Sequence, residues 1–540
     1  MRSFCLVICL LLSTVKYCSA FDAIVYFTDK GQNIYTDISQ LLSEKALSRR
    51  IKNHIAVDFT DYPVEQTYIN QISNNHIQIY GVSKWLNAVY ISNVNTEQVN
   101  SLYRFPFVKS IEIQGKTQSS LAQVHNRFPC DKVNLPQRDM IEAEQFHFNG
   151  ITGTDVLVCL MDDGFKNVQN IEAFNHLFVK NKIKAVKDFL SNEADVYSVG
   201  GHGTAVLSNI AGYIPGKMYG TGYGASFLLA RTEIDSIESA VEMFQWARAA
   251  EWADSIGADI FSTSLGYTQF DDPTTDYYYA DMNGKTTIIS KAAALAVSKG
   301  ILVINSAGNE GNNSWKYISA PADVEGVVTV GAVDSRENFA NFSSRGPTWD
   351  GRLKPDICCQ GVNNLSTNTD GGLYYPSGTS FSCPTFSGLA ACIMQIAPNK
   401  TVNEIKEIIY SNCTFSSQPN NDIGRGVPKG SKIYESITGN ILQPLSNCDF
   451  LNIDGVYIYP VPASQVLFVM FDNRKKTTEI QVNIYNIEGK PVYDNSFKVQ
   501  LGLQQMAIDK SSLPVVNGLY YIRINDTEGN VLIEQKILFL

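Results

Sequence analysis

Basic residues are too few in this chain to balance its acidic residues. Lys and Arg number 43 against 53 Asp and Glu, so the formal net charge of the 540 residues is -10 at pH 7. Nucleic acids and anionic lipid surfaces attract proteins with clustered Lys and Arg, because phosphate groups are negatively charged. The composition therefore argues against nucleic acid and lipid surfaces as partners.

Spacing typical of metal ligands is also missing. The 11 cysteines are scattered without the close pairs that hold zinc. Cys159, Cys383 and Cys392 lie in apolar runs, where a thiol is expected to be a small buried side chain. Aspartates at 271–272 and 276–281 could hold a structural calcium ion, but solvated loop charges are the favoured interpretation. We therefore expect no metal or cofactor in the chemistry.

An apolar run at the start of the chain is too short to cross a membrane. Met1-Arg2 precedes the apolar stretch Phe4–Leu12, and the small residues Ser19-Ala20 follow it. These are the charged, apolar and cleavage regions of a secretory signal peptide. We expect residues 1–20 to be removed on export and the mature chain to have no membrane span. A lipidated Cys18 is disfavoured because large residues precede it.

A chain of this length is too long for one hydrophobic core, and its pattern changes twice. Up to about residue 118 the predicted order is βαββαβ, a compact α+β module. From about residue 150 short apolar strands alternate with helices, which indicates a parallel sheet covered by helices on both faces. The last ninety or so residues alternate polar and apolar side chains, which predicts a small antiparallel β-sandwich.

These patterns predict specific elements and four segments. In the first module strands are expected at 23–27, 77–80, 86–91 and 108–113, and helices at 37–50 and 95–103. In the second part strands are expected at 156–161, 258–263, 301–305 and 327–330, with helices at 204–211, 239–255, 286–299 and after Ser380. The predicted segments are a signal peptide at 1–20, an α+β module at 21–118, an α/β domain at 119–440 and a β-sandwich at 450–540.

Two residues have the types and positions needed to activate a nucleophile. Asp162 directly follows an apolar strand, and His202 opens a helix within a glycine-rich stretch. In an open α/β sheet such strand ends and helix starts meet at one edge. A turn aspartate and a structural histidine are the alternative interpretations.

A nucleophile and an oxyanion donor are also present. Ser380 precedes a helical run, where free N–H groups and the helix dipole favour a developing negative charge. Asn309 follows an apolar strand, and its amide could donate to an oxyanion together with the backbone N–H of Ser380. A helix-capping serine and a turn asparagine are the alternatives.

Taken together, these motifs resemble those of the subtilisin-like serine peptidases, in that family's order. The matching motifs are Asp162–Gly164, His202–Thr204, Ala307–Gly311 and Gly378–Ser380 with Pro384. The resemblance implies an endopeptidase with an Asp162, His202, Ser380 triad and Asn309 as oxyanion donor. It also implies a subtilisin-like parallel sheet and an acyl-enzyme intermediate.

Further segments extend the resemblance to substrate binding. Ser264, Leu265 and Gly266 resemble the stretch that pairs with an extended polypeptide substrate, and 342–356 resembles the segment that precedes the serine motif. The departures are Cys383 before Pro384, Cys359–Gly361 in place of Ala-Pro-Gly, and Asp163 in place of a small residue. None of these departures removes a catalytic group.

The flanking segments resemble known companions of this family. Residues 21–118, notably Ser83–Val89, resemble a ferredoxin-like inhibitory propeptide, which implies that the chain's own N-terminal part blocks the cleft. The C-terminal segment resembles the type IX secretion sorting domain of Bacteroidetes, with Tyr459–Ala463 and a valine at 461 where the family usually has asparagine. This implies the type IX machinery as a partner and a route through the periplasm to the cell surface or medium.

Three other interpretations remain for the chemistry. An esterase of the α/β-hydrolase type is disfavoured because that fold expects Gly-x-Ser-x-Gly and the order Ser, acid, His. A thiol enzyme would use Cys383, three residues beyond Ser380. A catalytically inactive adhesin would use the same fold to bind peptides. The side-chain preference of the enzyme does not follow from the sequence.

Overall fold

The computed structural model describes residues 21–35, 37–114, 135–191, 195–214, 217–234, 239–442, 456–459, 466–473, 478–499 and 502–539. The predicted signal peptide at 1–20 and most of the predicted sorting motif, 460–463, lie outside these residues. None of the described helices is long and apolar enough to cross a membrane.

The N-terminal module is an antiparallel sheet with the strand order β2-β3-β1-β4 and helices packed beside it. Its strands are β1 (Phe21–Phe27), β2 (Gln78–Ser83), β3 (Ala88–Val94) and β4 (Val108–Gln114). Its helices are α1 (Glu44–Lys52), α2 (Gln66–Ser73) and α3 (Thr96–Leu102). This confirms the predicted α+β architecture.

Two details of this module differ from the prediction. The single helix expected at 37–50 is divided, because Asp37 caps a short 3-10 turn and Ser43 then caps α1 through a bond from the N–H of Ala46. Helix α2 was not predicted at all. Of Asn95 and Thr96, either of which could cap α3 by sequence, Asn95 is the cap, since its side chain accepts the N–H of Gln98.

The middle of the chain forms a seven-stranded parallel sheet with the order β13-β12-β11-β10-β5-β9-β6. Its strands are β5 (Leu157–Asp162), β6 (Ile183–Asp188), β9 (Ser226–Arg231), β10 (Ile260–Thr263), β11 (Leu302–Ser306), β12 (Val328–Val333) and β13 (Ile357–Gln360). Short antiparallel pairs are β7 (Tyr213–Ile214) with β8 (Met218–Tyr219), and β14 (Ser366–Thr367) with β15 (Leu373–Tyr374).

Helices cover both faces of this sheet. They are α4 (Pro136–Met140), α5 (Ala143–Phe148), α6 (Asn175–Val179), α7 (His202–Ala211), α8 (Ala240–Ile256), α9 (Ile288–Ser298), α10 (Thr379–Ile396), α11 (Val402–Ser411) and α12 (Gly430–Thr438). Along β5, Val158 and Leu160 pack with α7 and α10, whereas Cys159 and Met161 pack with α8 and α9. This alternation places one core on each face, as the apolar strands predict.

Three strands of the sheet were not predicted. β6 and β9 contain lysine or arginine, and β13 is the cysteine-containing segment Ile357–Gln360. The predicted structural role of the apolar-run cysteines holds, since Cys159, Cys383 and Cys392 are buried and unpaired.

The C-terminal segment is a two-sheet antiparallel structure. One sheet has the order β16-β17-β20 and the other β19-β18-β21-β22. The strands are β16 (Val456–Tyr459), β17 (Val466–Asn473), β18 (Glu479–Asn486), β19 (Pro491–Lys498), β20 (Gly502–Asp509), β21 (Gly518–Asp526) and β22 (Val531–Phe539). Leu467 and Val469 of the first sheet share a core with Ile480 and Ile522 of the second, which confirms the predicted β-sandwich.

The N-terminal module packs against the outer face of α8. Its Ile24, Trp85 and Tyr90 belong to the same apolar cluster as Phe244. Glu251 of α8 accepts hydrogen bonds from the backbone N–H groups of Lys84 and Trp85, each at 3.0 Å. The turn between β2 and β3 is therefore held by the α/β domain.

Candidate active site

Asp162 and His202 meet at the carboxyl edge of the parallel sheet. Asp162 is the last residue of β5 and is 4% exposed, and His202 is the first residue of α7. The Nδ1 atom of His202 lies 2.8 Å from Oδ1 of Asp162. A buried carboxylate in this position fixes which ring nitrogen carries the proton, because Nδ1–H donates to it.

Asp163 holds the start of the helix that carries His202. Its Oδ2 accepts the backbone N–H of Gly201 at 3.0 Å and of His202 at 3.2 Å, and its Oδ1 accepts the N–H of Gly203 at 2.9 Å. These N–H groups have no partner within α7, so a carboxylate here caps the helix. Burial, and then the negative charge of Asp162, raise the pKa of Asp163 to about 7.

Close packing explains the glycine after His202. A Cβ on Gly203 would lie 2.2 Å from the carbonyl oxygen of Gly164 and 3.0 Å from Cβ of Asp162. A side chain there would separate α7 from the end of β5. Gly203 therefore allows the approach that brings His202 to Asp162.

Ser380 lies in the first turn of α10 and faces the end of β10. Its Oγ lies 3.4 Å from the carbonyl oxygen of Ser264, and the hydroxyl of Ser264 donates to the carbonyl of Ser380 at 2.9 Å. The ring of Phe381, the next residue, has its centroid 6.0 Å from that of His202. Ser380 and His202 are thus carried by neighbouring helix starts.

Pro384 lies inside helix α10, past its first turn. The helix begins at Thr379, so the proline is its sixth residue. Proline has no N–H for the carbonyl four residues earlier, which is that of Ser380. The hydroxyl of Ser264 supplies the missing donor, and this links the predicted substrate strand to the helix start.

The geometry orients the side-chain amide of Asn309. Its Oδ1 accepts the backbone N–H of Thr379 at 2.9 Å and the hydroxyl of Thr379 at 3.1 Å. A backbone N–H can only donate, so the atom facing it must be the amide oxygen. The Nδ2 donor of Asn309 is left to point elsewhere, and it lies 3.6 Å from where a Cβ on Gly378 would stand.

The segment Ser264–Gly266 continues from the end of β10. The carbonyl of Leu265 is occupied inside the protein, since it accepts the side-chain N–H of Asn305 at 2.9 Å. The backbone of Tyr267, the next residue, pairs with Ala320 in an antiparallel bridge. The segment is therefore held extended from both sides.

Ser319 is a residue at this site that sequence reasoning did not select. It is 3% exposed, and its buried hydroxyl has no hydrogen-bond partner within the described residues. The hydroxyl oxygen lies 1.9 Å from where a Cβ on Gly266 would stand and 3.1 Å from that on Gly308. The two glycines give Ser319 its space. No local pattern marks this serine, because its neighbours come from two other strand ends.

Among the described residues, Asp162, Asp163 and His202 form a group whose ligand atoms lie close enough to hold a metal ion. Both oxygens of Asp163 are occupied by backbone N–H groups, and Oδ1 of Asp162 faces the imidazole. These ligand atoms are thus engaged in hydrogen bonds within the protein. In the acidic loop, Asp276 accepts the N–H of Phe270 and Asp281 that of Tyr278, so these carboxylates stabilise turns.

Burial argues against Cys383 as a nucleophile. The thiol is completely buried, and its Sγ lies 3.4 Å from the carbonyl oxygen of Thr263. Burial raises the pKa of Cys383 to about 12. A thiol attacks as the thiolate, so this environment disfavours the thiol-enzyme interpretation.

Three family models match this chain. The model of the subtilase family matches residues 153–426, that of the peptidase S8 propeptide domain of Bacteroidota matches 22–127, and that of a secretion system C-terminal sorting domain matches 457–538. The three matches fall on the three structural units described above.

Curated relatives match the middle of the chain. A thermostable alkaline protease of Halalkalibacterium halodurans is 28% identical over 279 residues, which are 52% of this chain and 68% of the relative. Subtilisin E of Bacillus subtilis is 30% identical over 51% of this chain and 65% of its own length. A subtilisin of Bacillus pumilus is 30% identical over 51% of this chain and 90% of its own length.

Proposed function

The chain belongs to the subtilase family of serine proteases, and from this premise we propose that it hydrolyses peptide bonds as a secreted endopeptidase with Ser380 as nucleophile. His202 is the general base and Asp162 the carboxylate that orients it. The observation that carries the proposal is the 2.8 Å contact between Nδ1 of His202 and Oδ1 of Asp162. This pair of residues lies at the edge of the sheet where α10 and the loop that carries Asn309 also begin.

The proposed reaction follows from these positions. Oγ of Ser380 attacks the carbonyl carbon of the scissile bond while Nε2 of His202 takes the serine proton, and Asp162 stabilises the imidazolium that forms. The same proton then passes to the leaving amine, which leaves an acyl group on Ser380. Water, deprotonated by His202, releases the acyl group and restores the serine. The reaction uses groups of the protein and water, and it needs no cofactor.

Two N–H donors are proposed to hold the oxyanion. They are Nδ2 of Asn309 and the backbone N–H of Ser380 at the start of α10. The bond from Thr379 to Oδ1 of Asn309 supports this assignment, because it leaves the amide nitrogen free to face the reacting carbonyl. Fixed donors of this kind stabilise the charge that develops in the transition state.

The substrate is proposed to be an extended polypeptide that lies along Ser264, Leu265 and Gly266. Ser319, between Gly266 and Gly308, is proposed to form part of the wall of the pocket for the residue before the scissile bond. Its buried hydroxyl fills the space behind these two glycines.

The flanking segments are proposed to regulate and deliver the enzyme. Residues 21–118 act as its inhibitory propeptide, residues 119–440 form the peptidase domain, and residues 450–540 direct the chain to the type IX machinery. The matches to the propeptide and sorting-domain families support these roles. The match to a secretion system sorting domain indicates that the protein is delivered outside the cell or to its surface.

Replacing the nucleophile tests the proposal directly. We expect full-length Ser380→Ala to fold, to lack activity on casein and to keep its N-terminal module uncut. Ser382→Ala is the matched control, since that hydroxyl lies on the same helix and donates only to the carbonyl of Thr379. Wild-type casein hydrolysis by Ser380→Ala would refute the assignment.

Chemical labelling separates the alternatives. A serine-directed phosphonylating reagent is expected to inactivate the wild-type enzyme and to label Ser380. A catalytically inactive adhesin would not react. Inactivation by thiol alkylation alone would instead identify Cys383, and hydrolysis of simple lipid esters without casein cleavage would indicate an esterase.

A further inference from the structure

Two adjacent arginines of the N-terminal module are buried against the peptidase domain. Arg49 and Arg50, on α1, are 4% and 1% exposed. Both reach Asp254 in the last turn of α8, and Nη2 of Arg50 lies 2.8 Å from Oδ2 of Asp254. Charged side chains are seldom buried so completely unless they are paired.

Arg49 also binds the carboxyl ends of two helices. Its guanidinium donates to the carbonyl of Asp254, in the last turn of α8, at 3.4 Å and to that of Lys299, just after α9, at 3.3 Å. The last carbonyls of a helix have no partner within it and carry the negative end of its dipole. The peptidase domain thus presents two helix ends and one carboxylate to a single cation.

Asp254 stands where a carboxylate is least favoured. It lies at the negative end of the α8 dipole and is completely buried. Within the described residues, the cations paired with it are Arg49 and Arg50, both from the N-terminal module. Removing the module would leave this carboxylate without either partner.

The contact is reciprocal. Lys299 of the peptidase domain is completely buried, and its Nζ lies 3.1 Å from Oδ2 of Asp61 and 2.9 Å from Oδ1 of Asp58 in the N-terminal module. Asp61 also pairs with Arg50, at 3.0 Å. Cations and carboxylates therefore come from both sides, and each buried charge has an opposite charge beside it.

An exposed ion pair on the same helix provides a comparison. Lys45 of α1 pairs with Asp259 at 2.7 Å, but the lysine side chain is 42% exposed. Solvated pairs contribute little, whereas deleting one partner of a buried pair leaves an uncompensated charge and is strongly destabilising. The same interface thus contains a weak pair and a strong network.

We propose that Arg49, Arg50, Asp61, Asp254 and Lys299, here called the arginine latch, hold the N-terminal module on the peptidase domain after the chain between them has been cut. The proposal rests on the proposed propeptide role of residues 21–118. It adds a docking surface at the carboxyl ends of α8 and α9 whose ligand is a helix with two adjacent arginines. Release of the inhibitor then requires these charges to be hydrated, so cleavage of the connection alone is not enough.

Amide hydrogen exchange in the full-length chain tests the latch. In a Ser380→Ala background, adding Asp254→Asn is expected to speed exchange along α1 at least about tenfold, since a mutation that removes one partner of a buried pair is the costly case. Lys45→Ala in the same background is the matched control and should change α1 exchange by less than about twofold. Unchanged α1 exchange in Asp254→Asn would overturn the proposal.

A second variant tests the latch if the first variant does not fold. If Asp254→Asn fails to fold, Arg49→Gln with Arg50→Gln removes the same pairs while leaving every peptidase residue intact. The expected result is again faster exchange along α1 with α8 still protected. Equal protection of α1 in this variant and in its parent would overturn the proposal.

The active chain gives an independent measurement. With Ser380 present, Asp254→Asn should shorten the delay between cleavage of the chain and the appearance of casein hydrolysis severalfold. Once the module has left, kcat/KM should equal that of the wild type, because Asp254 is outside the catalytic groups. An unchanged delay would count against the latch, whereas absence of activity in the wild type would count against the proposed function. The exchange experiment does not depend on that function, since it uses the chain without its nucleophile.

Discussion

At the scale of single residues, the two neighbouring carboxylates at the end of β5 make different contacts. Asp162 faces the imidazole of His202, and its neighbour Asp163 binds the backbone that carries this imidazole. The sequence shows Asp163 only as a departure from the usual small residue. Its three backbone contacts explain why a longer acidic side chain is useful here, because it reaches the N–H groups at the start of α7.

Asp163→Ala tests this positioning role. The change removes three acceptor contacts at the start of α7, so we expect a loss of about 1–2 kcal/mol in the free energy of unfolding, as for other helix caps. Displacement of His202 by even about 1 Å should lower kcat by about 10²-fold with little change in KM. Casein-peptide kinetics and urea unfolding measure the two effects.

Asp163→Asn is the informative companion variant. It keeps one oxygen that can accept backbone N–H groups but places an amide donor against another N–H. We expect its kcat to lie between those of the wild type and Asp163→Ala. If Asp163→Ala were as active as the wild type, the cap would have no role in placing His202.

At the scale of elements, α10 connects Ser380, the proposed nucleophile, to both the proposed substrate segment and the core. Pro384 interrupts the helix hydrogen bonding, and Ser264 donates to the carbonyl that is left free. Farther along the helix, Gly388 packs against the turn at Thr221 and Gly222. A Cβ on Gly388 would lie 2.0 Å from Oγ1 of Thr221 and 2.6 Å from the backbone nitrogen of Gly222.

Gly388→Ala is therefore expected to destabilise the peptidase domain. In a solvent-exposed helix the same change would stabilise by roughly 0.5–1 kcal/mol, because glycine is a poor helix former. Here the added methyl group meets backbone, and overpacking should cost about 1–3 kcal/mol. Urea unfolding in the Ser380→Ala background measures whether Gly388→Ala raises or lowers the free energy of unfolding.

Ser298→Ala, at an exposed position of α9, is the control for this substitution. It should shift the free energy of unfolding by less than about 0.5 kcal/mol. A stabilising effect of Gly388→Ala would show that α10 has room at this point and would contradict the close approach.

At the scale of the whole molecule, one buried and one half-buried histidine make stability depend on pH. His147 on α5 is buried, and its Nε2 lies 3.0 Å from the carbonyl oxygen of Thr221. Burial lowers the pKa of His147 to about 3, and burial lowers that of His176 to about 4. Both rings are therefore neutral in the folded protein at pH values where they would be charged in the unfolded chain.

The sign of this effect follows from proton binding. Below about pH 6.5 the unfolded chain binds a proton at each ring that the folded protein does not, so stability is complete above that pH and falls as the pH decreases towards 3 or 4. Each ring contributes a slope of up to about 1.4 kcal/mol per pH unit. Urea unfolding of full-length Ser380→Ala from about pH 7 to about pH 5 measures it.

The variant His147→Gln separates the contribution of this imidazole to the pH dependence of stability from those of other titrating groups. Glutamine can still donate to the carbonyl of Thr221 but does not titrate. We expect the loss of stability between about pH 6.5 and pH 5 to shrink by the contribution of one proton. Tryptophan fluorescence is a suitable signal because all 5 tryptophans lie before the C-terminal segment. Identical slopes for the two chains would contradict the prediction.

The order of architectures could be predicted because it depends on periodicity within each segment. Continuous apolar strands, alternating strands and the cap at Asn95 all report contacts within a few residues. The apolar pattern did not predict β6 and β9, because each contains Lys or Arg, such as Lys187 and Arg231, and is not fully apolar. The helix expected at 37–50 was divided by two local caps that the apolar pattern does not show.

The sequence by itself determined the candidate catalytic groups and their order along the chain. Each of these groups lies at or after the end of a strand, or in the first turn of a helix, and strand ends of a parallel sheet meet at one edge. They are Asp162, His202, Asn309 and Ser380. Only the tertiary structure placed Ser319 beside Gly266 and Gly308, and Arg49 beside Asp254. These depend on contacts between residues far apart in the chain, where the identity of each partner is set by how the sheet and helices pack. The pattern of apolar and polar residues within one segment does not identify those distant partners.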